Sequence, residues 1–275
     1  MIIGFISVKG GVGKTTIALE TAASLANDFG KSVMLIDANF SAPNLSLHLG
    51  LEPEITLHDA LLGVGLHNAI YERHGIDVVP AALVYKHEVD TFKLKKALDK
   101  FKKRYDYIII DSSPHFSELI PVINAADCLF VVTTPDIPTL TMTMKAANLA
   151  RQRKTPVEGV IINKIRDHKY ELDLNEIEEG LDVPVVARIK DHRDMIESIH
   201  LKTPMILHKP ENPVSQEIRR FASALVGRPE KPRGFFQSFL PFRNFFVHKE
   251  KVNRELLREK FYEPQLAEQI VNQVQ

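Results

Sequence analysis

The chain contains very little cysteine. Its 275 residues include a single one, Cys128. One cysteine excludes a disulfide framework and any metal site built from two cysteines of the same chain, so an iron–sulfur carrier is not expected. Cys128 lies in the apolar run CLFVV (128–132). Because free cysteines are among the most frequently buried residues, this run predicts a buried structural thiol.

A net charge is also absent. The 35 lysines and arginines are balanced by 35 aspartates and glutamates, so no overall field favours nucleic acid or anionic ligands. The basic run KLKKALDKFKKR (93–104) is interpreted as a solvated helix face. We therefore do not expect nucleic acid as a partner, and a DNA-partition role is not favoured.

Long apolar runs are missing as well. The chain has no run of about 20 apolar residues, the length that a membrane-spanning helix needs. The apolar start, MIIGFISVKG (1–10), has neither a basic leading region nor a small-residue cleavage site. It continues directly into a glycine-rich segment, which indicates a first strand and not a signal peptide. We expect a cytoplasmic protein.

Short apolar runs alternate with helical patterns along residues 1–226. The predicted strands cover 2–7, 32–37, 76–80, 105–111, 128–134, 157–163 and 183–189, and the predicted helices cover 15–29, 90–104, 117–125, 139–153, 173–180, 192–200 and 213–226. Strands that are apolar throughout and separated by helices indicate a parallel sheet covered on both faces. The predicted fold class is therefore α/β, with three layers and a mostly parallel central sheet.

Three polar clusters follow the ends of predicted strands. They are GKT (13–15) after the first strand, DAN (37–39) after the second, and an aspartate, two serines and a proline (111–114) after the fourth. Sheets of this kind bind their ligands at the carboxyl ends of the strands. The three clusters are therefore expected to form one site.

The segment SVKGGVGKTT (7–16) predicts a phosphate-binding loop, although the usual pattern G-x-x-x-x-G-K-[ST] has glycine in place of Val8. Gly10, Gly11 and Gly13 let the backbone bend tightly and turn its N–H groups inward. The loop ends at a predicted helix N-terminus, which favours negative charge. A glycine-rich turn with an incidental lysine is the alternative, and the strand before it and the helix after it argue against that.

The side chains at the end of this loop suit a nucleotide with Mg²⁺. Lys14 would reach the β- and γ-phosphates, the Thr15 hydroxyl would ligate Mg²⁺, and Thr16 is placed to hydrogen-bond the α-phosphate. Asp111, at the end of the strand YIIID, would hold the hydration shell of the same ion. Asp37 ends the second strand, at the same predicted edge of the sheet.

The eight residues KGGVGKTT (9–16) resemble the deviant Walker A motif, K-G-G-x-G-K-[ST], of the MinD/ParA family of P-loop ATPases. In that motif the position of Val8 is not required to be glycine, and Lys9 is the additional residue. Other segments also look like parts of this family: LIDANFSAPNLSLHLG (35–50), YDYIIID with the three residues after it (105–114), VTTPDIPTL (132–140), INK (162–164) and HLKTPMILHKPENPVSQEIRRFA (200–222). The segment 35–50 looks like that of the archaeal MinD-like members in particular. The similarity extends over most of residues 1–226.

The resemblance implies ATP and Mg²⁺ as ligands and an ATP-dependent homodimer. In that dimer Lys9 would contact the nucleotide of the second subunit; a solvated surface lysine is the alternative. The implied nucleotide-binding residues are Lys9, Gly10, Gly11, Val12, Gly13, Lys14, Thr15, Thr16, Asn163, Lys190 and Asp191. The implied metal contacts are Thr15, Asp37 and Asp111, and the implied catalytic residues are Lys9, Lys14, Asp37, Asn39 and Asp111.

Three residues depart from familiar patterns. Asn39 stands where the family's D-x-D pattern has its second aspartate, and an amide can orient a water but cannot accept its proton. His115 replaces a glycine typical of archaeal members, and is either a contact to γ-phosphate or a partner, or a plain loop residue. Arg166 occupies the position at which the guanine motif N-K-x-D needs aspartate, so adenine is favoured, with Asn163 at its edge.

The expected function is therefore an ATP-binding dimerisation switch for spatial positioning or for recruitment of an unidentified regulator or cargo. Because phosphoryl transfer depends mainly on positioning and charge, Asn39 is compatible with slow hydrolysis. The alternative is a hydrolysis-deficient pseudo-ATPase that uses ATP as a structural or signalling ligand.

The composition changes after the predicted ATPase domain (1–226). Residues 227–275 begin with a proline- and charge-rich linker and form a C-terminal helical and aromatic extension, in which Pro264 is expected to break a helix. Residues 235–246 contain six phenylalanines, and four of them share one helical face: Phe235, Phe239, Phe242 and Phe246. Two alternatives are open, contact with a membrane surface at the inner face of the cell membrane or packing against protein.

Overall fold

Eight strands form one central sheet. The computed structural model describes residues 1–85, 87–227 and 248–274, and the side chains of the last helix up to Tyr262. The strands are β1 (Ile2–Ile6), β2 (Val33–Ala38), β3 (Tyr71–Arg73), β4 (Ile76–Val79), β5 (Tyr107–Ser112), β6 (Cys128–Thr133), β7 (Val157–Ile165) and β8 (Val185–Lys190). Their order is β3-β4-β2-β5-β1-β6-β7-β8. Only the β3–β4 pair is antiparallel, so the predicted mostly parallel sheet is confirmed.

Helices cover both faces of this sheet. They are α1 (Lys14–Asn27), α2 (Leu45–Leu49), α3 (Leu57–Asp59), α4 (Leu94–Asp99), α5 (Phe116–Ala125), α6 (Ile137–Gln152), α7 (Leu174–Leu181), α8 (Arg193–His200), α9 (Met205–His208), α10 (Pro213–Leu225) and α11 (Lys249–Val274). Short 3₁₀ or π turns occupy Ala60–Val64, Leu66–Ala69 and Thr91–Lys93. In the described part of the chain, no helix is both long enough and apolar enough to span a bilayer.

The alternation of side chains along β1 shows why there are three layers. Ile3 and Phe5 belong to the core beneath α1 and α10, where the ring of Phe5 meets that of Phe221 at 6.3 Å. Ile2 and Ile6 point to the opposite core, beneath α5 and α6. Since successive residues of a strand face opposite sides, a strand that is apolar throughout must be covered on both.

Some elements differ from their sequence-based predictions. The helix predicted over 90–104 is a 3₁₀ turn followed by α4 and further turns, and the sequence pattern misses α2, α9 and β3 because they span only three to five residues. The break predicted at Pro264 is wrong, since α11 runs through it to Val274. A proline removes only its own N–H bond, and the remaining bonds of a 26-residue helix carry it past that point.

The first half of α11 covers the open edge of the sheet at β8. Arg254 donates from Nε to the carbonyl of Val186 at 2.9 Å, and Asn253 donates to the carbonyl of Val185 at 2.9 Å. Leu257 and Phe261 are buried in the core beneath α10. An uncovered edge strand invites pairing with other chains, and these contacts prevent it. The Phe-rich residues 235–246 lie outside the described residues.

A buried carboxylate joins α1 to α9. Glu20 accepts hydrogen bonds from the backbone N–H groups of Met205 at 2.6 Å and Ile206 at 3.0 Å. Burial nevertheless raises the pKa of Glu20 from 4.5 to about 7. The charged form costs free energy in a dry interior, so the folded chain holds a proton that the unfolded chain releases.

Glu20 should make stability depend on pH. Its folded pKa lies above its unfolded value, so its stabilising contribution is complete below about pH 4.5 and is lost as pH rises through about 7. The loss is on the order of 3 kcal/mol. We expect urea unfolding of the wild type to show this decline between pH 5 and 7, and Glu20→Gln to show a flatter profile at a constant offset. Equal slopes for both proteins would contradict the assignment.

Candidate functional site

The loop between β1 and α1 has the backbone that a phosphate cradle requires. Gly11 and Gly13 adopt left-handed conformations, with φ of +78° and +90°. A Cβ on Gly13 would lie 2.2 Å from Nδ2 of Asn163, whereas Cβ atoms on Gly10 and Gly11 would meet nothing within 4 Å. Gly13 is therefore required both by its conformation and by the close approach of Asn163.

The lysine and threonine that follow this loop converge on one carboxylate. Lys14 Nζ lies 3.1 Å from Oδ1 of Asp111 and also donates to the main-chain carbonyl of Ser112. Thr15 Oγ1 donates to Oδ2 of Asp111 at 2.5 Å. All three side chains are buried. The structure thus brings together the residues that the sequence assigned to phosphate and Mg²⁺.

Asp37 stands beside Asp111 on the neighbouring strand. The two are register partners of β2 and β5, and neither has exposed surface. Burial, and then the charge of Asp111, raises the pKa of Asp37 well above its usual range. Its carboxylate accepts hydrogen bonds from the N–H groups of Asn39, Asn44 and Leu45 at 3.1, 3.2 and 3.1 Å. Asp37 therefore organises the loop 39–45 as well as contributing charge.

The donor set fits Mg²⁺. It comprises a hydroxyl oxygen on Thr15 and carboxylate oxygens on Asp37 and Asp111, and hard oxygen ligands are those that Mg²⁺ prefers. Among the described residues no group of three or more His, Cys, Asp or Glu side chains could hold a metal alone. Mg²⁺ commonly takes only one or two protein carboxylates and completes its shell with water and substrate phosphates. Two carboxylates are thus sufficient.

The amide of Asn39 is engaged within its own turn. Nδ2 donates to the carbonyl of Ala42 at 2.5 Å, and Oδ1 accepts from the N–H of Ala42 at 3.3 Å. The next residue but one, Ser41, donates its N–H to Oε2 of Glu118 at 3.2 Å. Glu118, which the sequence motifs did not single out, thereby connects this loop to α5. His115, at the start of α5, is exposed and donates its N–H to Ser113 Oγ at 3.1 Å.

Lys9 lies against the segment that follows β6. Its Nζ is 3.3 Å from Oδ1 of Asp136 and 2.5 Å from Oγ1 of Thr139. Burial alone would raise the pKa of Asp136, but hydrogen bonds from Thr134, Thr139 and Lys9 lower it to about 2. In this structure Lys9 is therefore paired within its own chain.

Two side chains from the end of β7 brace the phosphate loop from behind. Asn163 Nδ2 donates to the carbonyl of Val12 at 2.8 Å, and Lys164 Nζ donates to the carbonyl of Gly11 at 2.7 Å. The sequence motif suggested Asn163 as a base contact only, and Lys164 was not singled out. Their spacing gives no local sign of this bracing.

Two ion pairs connect the loop after β7 to the end of β8. Arg166 Nε lies 2.7 Å from Asp191, and Lys190 Nζ lies 2.6 Å from Asp167. Lys190 and Asp191 thus lie beside the loop that follows β7, the strand that carries Asn163. Both carboxylates here are paired with cations.

The remaining predicted residue, Thr16, occupies the first turn of α1 and is half-buried. Along the carboxyl edge of the sheet the structure therefore collects the phosphate loop, Lys14, Thr15, Asp37 and Asp111. Chemically this arrangement can neutralise a polyphosphate and hold a divalent cation next to it.

Comparison with known proteins gives concordant results. A family model described as an AAA domain matches residues 1–143. An ATP-binding protein of Methanocaldococcus jannaschii is 32% identical over 231 residues, covering 82% of this chain and 87% of the relative.

Two solved structures are similar over most of the chain. The cell division ATPase MinD of Pyrococcus furiosus has a TM-score of 0.76 and 28% identity, covering 81% of this chain and 96% of that one. The septum site-determining protein MinD of Pyrococcus horikoshii, solved with Mg-ADP, has a TM-score of 0.76 and 29% identity, covering 81% and 94%.

Gly13 and Gly10 offer a matched pair for testing the loop. Gly13→Ala should lower the free energy of unfolding by about 1–3 kcal/mol, because alanine is strained at this φ and displaces the Asn163 amide. Gly10→Ala should leave stability nearly unchanged, since its Cβ meets open space. Urea unfolding of both variants measures this. Equal destabilisation would show that Asn163 does not limit the size of residue 13.

Proposed function

The chain belongs to the MinD/ParA family of P-loop ATPases, and on this premise we propose that it is an ATP-binding switch whose nucleotide state controls the positioning or recruitment of other molecules. The convergence of Lys14, Thr15 and Asp111 at the end of a glycine loop carries this proposal. The Mg-ADP bound by the Pyrococcus horikoshii relative supports ATP and Mg²⁺ as the ligands.

The site would bind the nucleotide through groups that hydrogen-bond one another in this structure. The N–H groups of the loop and the N-terminus of α1 would receive the phosphate oxygens. Lys14 would turn from Asp111 to the β- and γ-phosphates, and Thr15 and Asp111 would hold Mg²⁺, with Asp37 in outer-sphere contact. When bound, Mg²⁺ supplies positive charge that offsets the charge of the phosphates. Lys14 adds to this stabilisation in the transition state.

The pairing of the nearby carboxylates with cations favours adenine over guanine as the base of the nucleotide. Guanine recognition needs a free carboxylate to accept its N–H groups, and Asp167 and Asp191 are each held by a cation. Asn163 uses Nδ2 to hold Val12 and keeps Oδ1 for the exocyclic amine of adenine. These contacts support ATP as the nucleotide.

Slow hydrolysis follows from the state of Asn39. An amide cannot accept the proton of the attacking water, and this amide already bonds the backbone of Ala42 at both ends. The same observation favours a second candidate function, a pseudo-ATPase that retains ATP as a structural or signalling ligand. Both functions require tight ATP binding and differ only in turnover.

Dimerisation would need Lys9 to leave its own chain. We assign Lys9 to the nucleotide of the partner subunit in an ATP-bound homodimer, stabilising phosphate charge in trans. The pairing with Asp136 then competes with dimerisation, since one ammonium group cannot serve both. ATP would shift the balance by offering Lys9 a more highly charged partner.

The regulator or cargo would bind the ATP-bound dimer and the other nucleotide state with different affinities. Recruitment to the inner face of a cell membrane through residues 235–246 remains a proposal from sequence. A chain ending at Val226 would test it poorly, because it also removes Arg254 and Leu257 from the edge and core of the sheet. Serine at the four phenylalanines of one helical face is the sharper change.

Asn39→Asp should raise the hydrolysis rate. Restoring a proton acceptor contributes about 10²–10⁴-fold in many enzymes, and we expect at least about tenfold here, because aspartate can still accept from the Ala42 N–H. Single-turnover hydrolysis with radiolabelled ATP measures this, with ATP affinity determined in parallel. Hydrolysis by the variant alone would identify the wild type as a pseudo-ATPase. Equal rates in both would show that Asn39 is not limiting.

Lys9→Ala and Asp136→Asn should change dimerisation in opposite directions. Lys9→Ala removes the contact in trans, so the ATP-dependent dimer should be lost. Asp136→Asn weakens the pairing that retains Lys9 while keeping a good N-cap for α6, so dimer should form at lower protein concentration. Sedimentation velocity with ADP and with a non-hydrolysable ATP analogue distinguishes these outcomes. A wild type that stays monomeric in both would refute the role of Lys9.

A further inference from the structure

Residues 92–104, hereafter the basic strip, carry a concentration of positive charge found nowhere else in the chain. Positions 93–104 contain seven lysines and arginines and one acid, Asp99. The other 263 residues contain 28 basic and 34 acidic side chains. A chain that is neutral overall is therefore divided into a positive strip and a negative remainder.

The strip has a buried face and an exposed face. Leu94 and Leu98 are fully buried, and Phe101 packs beside them in the core beneath α5. Phe92 lies in the 3₁₀ turn before α4, Lys96 lies in α4, and Lys100 and Lys103 lie in the turns that follow it. All four are exposed, and Phe92 has 60% of its surface accessible. The buried residues thus anchor the strip to the core, and its exposed residues include one aromatic ring and several ammonium groups.

Most of these charges have no counter-ion among the residues that the structure describes. Within the described residues, the only ion pairs of the strip join Lys102 to Asp99 and Asp127. Lys93, Lys95, Lys96, Lys100 and Lys103 are exposed, and none lies within ion-pair distance of a described carboxylate. A solvated helix face ordinarily interleaves charges of both signs, as in i, i+4 pairs, and this one does not.

The strip ends at the edge of the sheet opposite the nucleotide site. Lys102 bonds Asp127, whose carboxylate accepts the N–H of Ile2, the first residue of β1. The strands β1, β5 and β6 begin here, whereas the phosphate loop lies at their carboxyl ends. A partner on the strip would therefore leave the nucleotide and the proposed dimer contact of Lys9 accessible.

We propose that the basic strip is a docking surface for an anionic lipid membrane. Clusters of four to eight lysines and arginines are attracted to anionic headgroups, and an exposed phenylalanine among them can enter the interfacial region. Binding of this kind needs no nucleotide, so the proposal stands apart from the proposed function. This surface is also distinct from residues 235–246, because the basic strip packs against the core beneath α5.

Nucleic acid fits the same charge less well. Arginine is the residue of choice for bidentate recognition of nucleic-acid phosphates, and the strip has six lysines and one arginine. That arginine, Arg104, places its guanidinium 5.6 Å from the ring centre of Tyr105. A duplex backbone also offers no apolar region for Phe92.

The test is co-sedimentation of the full chain with vesicles of phosphatidylcholine alone and of phosphatidylcholine mixed with phosphatidylglycerol. It is run in the wild type and in a background with serine at Phe235, Phe239, Phe242 and Phe246. The strip variant combines Lys96→Gln, Lys100→Gln and Lys103→Gln. The control combines Lys145→Gln, Lys154→Gln and Lys169→Gln, which alters net charge equally at exposed positions elsewhere.

We expect binding to the anionic vesicles only, weakening as salt rises. Each lysine near such a surface contributes roughly fivefold, so the strip variant should lose on the order of a hundredfold in partition coefficient and the control much less. Phe92→Ser should weaken vesicle binding further. Because all these side chains are exposed, the variants should unfold at the same urea concentration as the wild type.

Three results would overturn the proposal. One is a failure of the wild type to prefer anionic over neutral vesicles. Another is an equal loss in the strip and control variants, which would reduce the effect to net charge. The last is binding to a DNA duplex, measured by fluorescence anisotropy, that depends on the strip while vesicle binding does not.

Discussion

Two buried carboxylates side by side impose the constraint on which this structure depends. Asp37 and Asp111 are register partners with no exposed surface, and like charges in a protein interior are costly unless they are compensated. The chain compensates them with the ammonium of Lys14, the hydroxyl of Thr15 and three N–H groups of the loop 39–45. The start of α1 must therefore meet the ends of β2 and β5, and a divalent cation between them would complete the compensation.

The phosphate loop owes its shape to residues far from it in sequence. Asn163 and Lys164 hold two of its carbonyls from behind, and Lys9 is held by Asp136 at its outer edge. A loop braced on two sides is preorganised, so less ordering is needed when a ligand binds. The contact of Lys9 differs from the others, because it joins two side chains, whereas Asn163 and Lys164 bond main-chain carbonyls.

Different borders of the sheet serve different purposes. The carboxyl edge holds the proposed nucleotide site, the open side of β8 is covered by α11, and the amino edge lies beside the basic strip. The packing of α11 on β8 stabilises the fold, because Arg254 and Leu257 of this helix are buried and would lose their partners if it left the sheet. Separating the nucleotide edge from the charged strip allows the two to act independently.

The sequence by itself determined the layered sheet, the phosphate loop and the set of Lys14, Thr15 and Asp111, because the period of apolar residues and the glycine spacing are local properties. It also identified Asn39 as a departure. Only the tertiary structure decided that the amide of Asn39 is occupied, that Asn163 limits the size of residue 13, and that Arg254 closes the sheet. The last two contacts join residues about 150 and 68 positions apart. No local pattern encodes such pairs, since they exist only once the sheet has brought their strands together.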